Sequence, residues 1–210
     1  MGDALLQKTY TADFLTKGQV KNNGEVAQVY VRDSHKGIVD KETWNAVQEE
    51  FERREKFMQK HGTDRYSYGS ECYPFCEKIF CGECGSLFTR HSWKSRGIIQ
   101  WQCKNHRKDG KVACTNAYVD NADLEKGFIK AFNRLVGERE KHIERWNSMK
   151  LDGTPLEKIR AGQMMEATES GQLQQYVPEA AQLVLEEITI FGAKKYEFAF
   201  LEGSRVKVSV

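Results

Sequence analysis

Proline is scarce in this sequence, with three among 210 residues, and no apolar run approaches the roughly 20 residues that a membrane-spanning helix needs. The scarcity excludes a proline-rich linker, and the missing run excludes a transmembrane segment. The beginning of the chain, Met1-Gly2-Asp3-Ala4, also lacks the basic and apolar regions of a signal peptide. No internal repeat of about 20 to 50 residues is visible, which excludes solenoids and propellers. We therefore expect a cytoplasmic protein without membrane contact.

Net charge is nearly absent as well, because 32 Lys and Arg stand against 30 Asp and Glu. A charge of +2 predicts by itself neither a nucleic-acid partner nor an acidic substrate. The distribution is uneven, however. Residues 86–111 hold seven basic residues and one acidic residue, whereas residues 137–202 hold eight basic residues and twelve acidic ones. The length and a hydrophobic share of 40% favour two small domains over one large core.

The N-terminal part has the pattern of strands followed by a helix. Residues 9–16 and 26–32 are rich in β-branched and aromatic types and flank Lys21-Asn22-Asn23-Gly24, which predicts a strand pair with an Asn-Gly turn. Asp40 is a candidate N-cap, and Trp44, Val47 and Phe51 follow at helical spacing, so a helix is expected to about Lys56 with that face buried.

Further along, residues 57–72 lose apolar periodicity, which indicates a linker between domains. Short β-like pieces with Gly-containing turns fill 75–118, and 121–149 predicts one long helix. Residues 150–178 are interrupted by Gly and Pro, with a short helix at 155–168, and 184–210 alternates like a terminal β-hairpin. The predicted class is α+β: a hairpin and helix module over 1–56, and a ribbon domain over 73–210 with helix 121–149 and terminal strands 184–210.

Six cysteines in a reducing compartment are likelier metal ligands or free thiols than disulfides. Cys81 and Cys84 are two residues apart before Gly85, and a hairpin could return Cys103 and Cys114 to the same ion. Four thiolates close the coordination sphere, so the predicted Zn²⁺ is structural and cannot activate water, which disfavours a zinc hydrolase.

Other ligand sets stay open. His106 stands at C-x-x-H spacing from Cys103 and could replace Cys114, and a set that includes Cys76, or no metal, is also compatible with the sequence. Cys72 and Cys76 are otherwise expected to be free thiols.

Basic and aromatic residues between the cysteine pairs suit a phosphate backbone, because cations release counterions and an aromatic ring can lie against sugars or bases. Two smaller groups lie near the first hairpin and in the linker. The predicted DNA contacts are Arg90, His91, Trp93, Lys94, Arg96, Lys104, Arg107, Lys17, Lys21, Asn22, Lys60 and Arg65. The alternative is a solvated face, with Trp93 and Trp101 packing the ribbon and Lys21 and Asn22 as ordinary turn residues.

Two stretches together resemble large serine recombinases. Gly2 to Lys17, Val20 to Val26 and Ser34 to Val39 are similar to the end of that family's recombinase domain. Phe80-Cys-Gly-Glu-Cys-Gly-Ser86, Trp101-Gln-Cys103 and Cys114-Thr115 are similar to its zinc ribbon. Ala131-Phe-Asn133 resembles the helix that follows the ribbon, and 184–208 more loosely resembles the family's closing strands.

The resemblance implies a DNA-binding C-terminal fragment of an enzyme that integrates, excises or transposes mobile DNA, as phage integrases and transposon recombinases do. No part of the sequence matches the family's catalytic domain, so no residue inherits the nucleophile. The implied partners are attachment-site duplex DNA and, in the full-length recombinase, a second copy. The implied location is the nucleoid of a bacterial cytoplasm. By analogy the linker near 57–70 would cross the minor groove and the ribbon an adjacent groove.

One departure concerns the coiled-coil arm that the family usually carries after the zinc ribbon. Residues 137–182 are too short and too interrupted by Gly and Pro for such an arm. The alternative function is a zinc ribbon that contacts other proteins and does not bind DNA.

Overall fold

The computed structural model describes residues 2–63, 73–93, 97–108, 111–112, 114–116, 118–192 and 194–210, with backbone only at 107–108 and 111–112. Within these ranges the fold is mixed α and β, as predicted. The chain divides into two compact units, Met1–Gln48 and Glu49–Val210. No helix in the described ranges is apolar enough over a sufficient length to traverse a membrane.

The first unit contains two small antiparallel strand pairs. Strand β1 (Ala4–Leu6) pairs with β4 (Val29–Val31), and β2 (Thr9–Thr11) pairs with β3 (Gln19–Lys21). The predicted pairing of 9–16 with 26–32 is therefore wrong. A tight turn at 13–17 closes β2 onto β3 locally, since Lys17 N–H donates to Asp13 O at 3.0 Å.

The Asn-Gly stretch connects two strands that lie in different sheets. Asn22 is 4% exposed, its Nδ2 donates to Gln7 O and Val26 O, and its Oδ1 accepts from the N–H groups of Gly24 and Val26. These four bonds hold a wider loop in place of a two-residue hairpin turn.

Helix α1 (Lys41–His61) begins as predicted, with Thr43 N–H donating to Asp40 Oδ1 at 2.8 Å. It runs beyond the predicted end near Lys56 because Phe57 is buried against Phe80 and the His61 ring stacks on Phe80 at 3.6 Å between centroids. Part of the predicted linker is therefore helix, and 64–72 lie outside the described residues. The division between the units falls inside α1.

The predicted buried face of α1 is wrong: Trp44, Val47 and Phe51 are exposed by 39%, 44% and 58%. From Glu49 onwards the packed face is mainly charged. Periodicity alone could not reveal this face, because the partners of Glu50 and Arg53 are far along the chain.

The remaining elements belong to the second unit. They are β5 (Ile79–Cys81), β6 (Phe88–Trp93), β7 (Ile98–Cys103), β8 (Arg107–Lys108), β9 (Lys111–Val112), β10 (Tyr118–Asp120), α2 (Asn121–Gly137), α3 (Arg139–Asp152), α4 (Pro155–Glu169), α5 (Pro178–Val184), β11 (Leu185–Ile190), β12 (Lys195–Phe200) and β13 (Arg205–Ser209).

Two sheets organise this unit. One has the order β10-β7-β6 and is antiparallel, and the other has the order β13-β12-β11-β5. In the second sheet β5 runs parallel to β11. This pairing joins the beginning of the ribbon to the terminal strands. The small β8-β9 pair completes the described strands.

The core lies between α2 and the terminal sheet, where Phe128 contacts Phe198 and Phe200. A Cβ on Gly127 would lie 3.0 Å from the Phe198 ring, so glycine permits this close approach of helix to sheet. The predicted helix 121–149 is two helices that break at Glu138. The break lets α3 pack on α4, with Arg139 Nε donating to Thr168 Oγ1 at 3.1 Å and Trp146 fully buried.

Helix α4 matches the short helix expected at 155–168. Thr154 and Glu157 form a reciprocal capping box at its beginning, and Pro155 takes the first helical position, where no N–H is needed.

Candidate metal centre and nucleic-acid interface

Four cysteines converge where the ends of the ribbon strands meet. Cys81 ends β5, Cys84 lies in the following turn, Cys103 ends β7, and Cys114 lies just beyond β9. Their Sγ atoms all lie within 4.8 Å of one another, with 3.6 Å between Cys81 and Cys114 and 3.5 Å between Cys84 and Cys103. Sulfurs about 2.3 Å from a tetrahedral zinc ion are about 3.8 Å apart, so the set has the dimensions of a closed tetrathiolate site.

Two tight turns present the sulfurs. Gly85 N–H donates to Cys81 O at 2.9 Å, and His106 N–H donates to Cys103 O at 2.9 Å. Gly85 has φ of +72°, a conformation in which glycine avoids the strain of a side chain.

The electrostatics of the cluster favour a bound cation over four unneutralised thiolates. Burial raises the pKa of Cys114 to about 12 and also raises the pKa of Cys103, although backbone N–H groups oppose both shifts. Burial acts in the same direction on Cys84, but hydrogen bonds from Ser86 outweigh it and lower the pKa of Cys84 to about 7. Four thiolates this close together, three of them buried, would repel one another, and a bound divalent ion would remove that penalty. The residues present therefore fit a structural metal.

His106 is directed away from the metal set. Its Nδ1 donates to Cys114 O at 2.8 Å, so the ring supports the loop that carries a ligand. Cys76 is half-buried and outside the cluster, and Cys72 lies outside the described residues.

The β6-β7-β10 sheet has two different faces. Phe88 and Trp101 are each 1% exposed, so alternation places their neighbours on the opposite, outward face. That face carries Thr89, His91, Trp93, Ile98, Gln100, Gln102, Tyr118 and the carboxylate of Asp120. Trp93 is 41% exposed and Tyr118 is 52% exposed.

Hydrogen bonds order this outward face. Gln102 Nε2 donates to Tyr118 Oη at 3.0 Å, and Thr89 Oγ1 lies 3.2 Å from His91 Nε2. The Trp101 indole instead donates to Asn121 Oδ1 at 2.9 Å and packs inside the unit.

Arg90 has the opposite environment from its neighbour His91. Its Cζ lies 3.6 Å from the Tyr73 ring centroid, and its Nε is buried with no hydrogen-bond partner among the described residues. The stacked guanidinium therefore faces the protein. Lys104 is exposed, whereas Lys94, Arg96, Arg65 and the side chain of Arg107 lie outside what the structure describes.

Of the remaining predicted contacts, Lys17 and Lys21 are exposed, whereas Asn22 uses its amide within its own loop. Lys60 Nζ donates to both carboxylate oxygens of Glu187 at 3.1 Å. The glutamines and Tyr118 of the outward face were missed by sequence reasoning, although strict strand alternation at 98–102 would have indicated them.

Comparison with protein families gives two matches. Residues 1–54 match a family described as Recombinase, and residues 74–133 match a family described as Recombinase zinc beta ribbon domain. The two regions together cover just over half of the chain. No curated protein and no solved structure matches.

Proposed function

Because the chain belongs to the serine recombinase family, with that family's recombinase and zinc ribbon regions, we propose that it recognises the attachment-site duplex of a mobile DNA element. The recombinase region supports a DNA partner and self-association in general. The observation that supports the ribbon as a reading surface is the outward face of β6 and β7, which is partly exposed and carries polar and aromatic side chains within a strongly basic stretch of the sequence.

Zinc is the metal we propose for the four-cysteine cluster, since an all-thiolate tetrahedral set favours it over oxygen-preferring ions. The ion has no open position in this role. It holds the ends of β5 and β7 together and thereby fixes the ribbon, while the protein side chains contact the DNA.

Two strands have the width to enter a major groove. His91 and Trp93 stand on the exposed side of β6, with ring centroids 6.1 Å apart, and Gln100 and Gln102 stand opposite on β7. The Nε2 groups of Gln100 and Gln102 donate to Asp120 and Tyr118, so their amide oxygens and the His91 imidazole would bond to base edges. The indole of Trp93 can pack on a thymine methyl or a sugar. Lys94 and Arg96, which lie between these strands in the sequence, would supply phosphate contacts, together with Lys104.

The structure removes Arg90 and Asn22 from the sequence-based contact set, and Gln100 and Gln102 are added to it. Arg90 stacks on Tyr73, and the Asn22 amide is occupied by its own loop, so both are assigned to the protein interior. Lys17 and Lys21 are retained as contacts of the recombinase region.

Fluorescence anisotropy tests the proposal. Duplexes enriched by the zinc-loaded chain from a random library are compared with the unselected pool over a salt series. Enriched duplexes should bind at least about 10³-fold more tightly, and log K should fall by about 0.9 per neutralised phosphate for each unit of log salt. Absence of salt-dependent binding would contradict the proposal and favour a ribbon that contacts proteins.

A further inference from the structure

A cavity of about 400 Å³ lies in the second unit, away from the metal centre and the ribbon face. Residues of α1, α4 and α5 line it, and its apolar wall is formed by Leu156, Ile159, Leu183 and Leu201. Ile159 and Leu183 remain 44% and 40% exposed at this wall. The proposed DNA contacts make no use of this space.

The polar side of the cavity contains a buried lysine. Lys78 is 2% exposed, and its Nζ donates to Leu185 O at 2.9 Å. That is its one hydrogen bond within the described part of the chain, although an ammonium group has three donors. Burying a charge in this way is costly without an anionic partner, and the pKa of Lys78 is lowered to about 8, mainly by burial.

The carboxylate of Glu50, which also lines the cavity, is engaged by other cations. Glu50 already accepts from Arg53, Arg54 and Arg160, at 3.0, 2.8 and 2.6 Å. Arg160 is itself 9% exposed and also donates to Leu201 O at 2.8 Å.

Two further carboxylates also form no described hydrogen bond with Lys78. Glu186 is 2.6 Å from the guanidinium of Arg53, and Glu179 is exposed on α5. Lys78 and Arg160 therefore share the polar side with Glu50 and Glu179, and the cavity combines an apolar wall with a buried ammonium group that bonds to neither carboxylate among the described contacts.

We propose that this cavity binds an aliphatic carboxylate, with the alkyl chain against Ile159 and Leu183 and the carboxylate against the Lys78 ammonium. Such a ligand completes the hydrogen bonding of Lys78 and covers the apolar wall. Two sources have this chemistry: a free aliphatic acid, and the C-terminal residue of a peptide with an apolar side chain. The site is independent of DNA binding and of the proposed function.

Calorimetric titration of the zinc-loaded chain with hexanoate tests the site, and 1-hexanol serves as an uncharged probe of the same length. Hexanoate should bind saturably, and hexanol at least about tenfold more weakly, because it lacks the charge. Lys78→Met should weaken hexanoate binding at least about tenfold. Lys150→Met, at an exposed position of α3, should leave it unchanged.

A second variant covers the case in which Lys78→Met does not fold. Ile159→Trp fills the cavity from its exposed edge while Lys78 is kept, and it should abolish hexanoate binding. Absence of saturable hexanoate binding to the unaltered chain, or equal binding to the Ile159→Trp variant, would overturn the proposal.

Titration with acetyl-Gly-Leu, both as the free acid and as the amide, distinguishes a peptide C-terminus from a free aliphatic acid. Tighter binding of the peptide acid than of hexanoate identifies a peptide C-terminus, and the reverse order identifies a free acid. Equal binding of the peptide acid and amide would contradict a carboxylate site.

Discussion

The Nε2 atom of His61, the last residue of α1, lies 2.9 Å from Oε2 of Glu187 in β11. Glu187 is 3% exposed and also accepts from Lys60 and from Arg205 of β13. Burial alone would raise the pKa of Glu187, but hydrogen bonds from His61, Arg205 and Lys60 outweigh it and lower the pKa to about 2. One carboxylate therefore links the end of α1 to the terminal sheet.

Replacing this carboxylate should destabilise the second unit. Glu187→Gln keeps the shape and removes the negative charge that contacts Lys60, Arg205 and the His61 ring, so we expect a loss of about 2 to 4 kcal/mol in the free energy of unfolding. Glu144→Gln, at an exposed position of α3, is the control and should change it by less than about 0.5 kcal/mol. Urea denaturation followed by circular dichroism measures both, and equal stability of the two variants would contradict the role of Glu187.

The lowered pKa of Glu187 should make the stability of the second unit depend on pH. Its pKa is lower in the folded chain than in the unfolded chain, so its contribution is complete above the ordinary value of 4.5. The contribution should fall as the pH drops from there towards about 2. Urea midpoints measured across this range should decline less steeply for Glu187→Gln than for the unaltered chain, and parallel curves would show that Glu187 does not carry the effect.

If the four cysteines bind the metal, substitution of two cysteines in the same region should affect zinc content and folding very differently. Cys84→Ser should lower the zinc content and unfold the ribbon, because a structural zinc site contributes on the order of 10 kcal/mol to folding. Cys76→Ser, outside the cluster, should keep one zinc per chain. Metal analysis and tryptophan fluorescence check both variants, and full zinc content in Cys84→Ser would refute the four-cysteine assignment.

Arg90 is expected to stabilise the ribbon more than it contributes to DNA affinity. Arg90→Ala removes a guanidinium stacked on Tyr73 and should cost about 1 to 2 kcal/mol of unfolding free energy. Lys104→Ala, at an exposed position, should change stability by less than about 0.5 kcal/mol. Chemical denaturation distinguishes them. Unchanged stability with weaker DNA binding would return Arg90 to the DNA contacts.

Lys94 and Arg96 should act through phosphates. Changing both to Ala should preserve zinc content and weaken binding to enriched and random duplexes alike, with the salt slope smaller by about 2. His91→Ala should instead weaken binding to enriched duplexes more than binding to random ones, because contacts with base edges specify the sequence. Anisotropy titrations measure these changes. An unaltered salt slope in the double variant would assign the two charges to a solvated surface.

Local patterns in the sequence were sufficient for several elements. Asp40 caps α1, α4 covers the short helix expected at 155–168, and the terminal alternation gives β11, β12 and β13. Each of these depends on residues within a few positions of one another, where spacing and side-chain chemistry determine the conformation.

Features that depend on distant partners were predicted less well. The exposed face of Trp44, Val47 and Phe51 has apolar spacing but no described contact that buries it. Helix α1 extends to His61 because of Glu187, which lies 126 residues further along the chain. The pairing of β2 with β3 was missed because the bonds of Asn22 cannot be inferred from its neighbours' propensities.

The sequence by itself determined the cysteine spacing, the basic segment between the pairs and the class of the fold, because these are properties of order and composition. Only the tertiary structure decided that His106 supports a ligand loop, that Arg90 faces inwards, and that Lys78 lines a cavity. Burial and the partners of a charged group follow from which distant segments pack together, and that packing also decides which cations remain available to DNA.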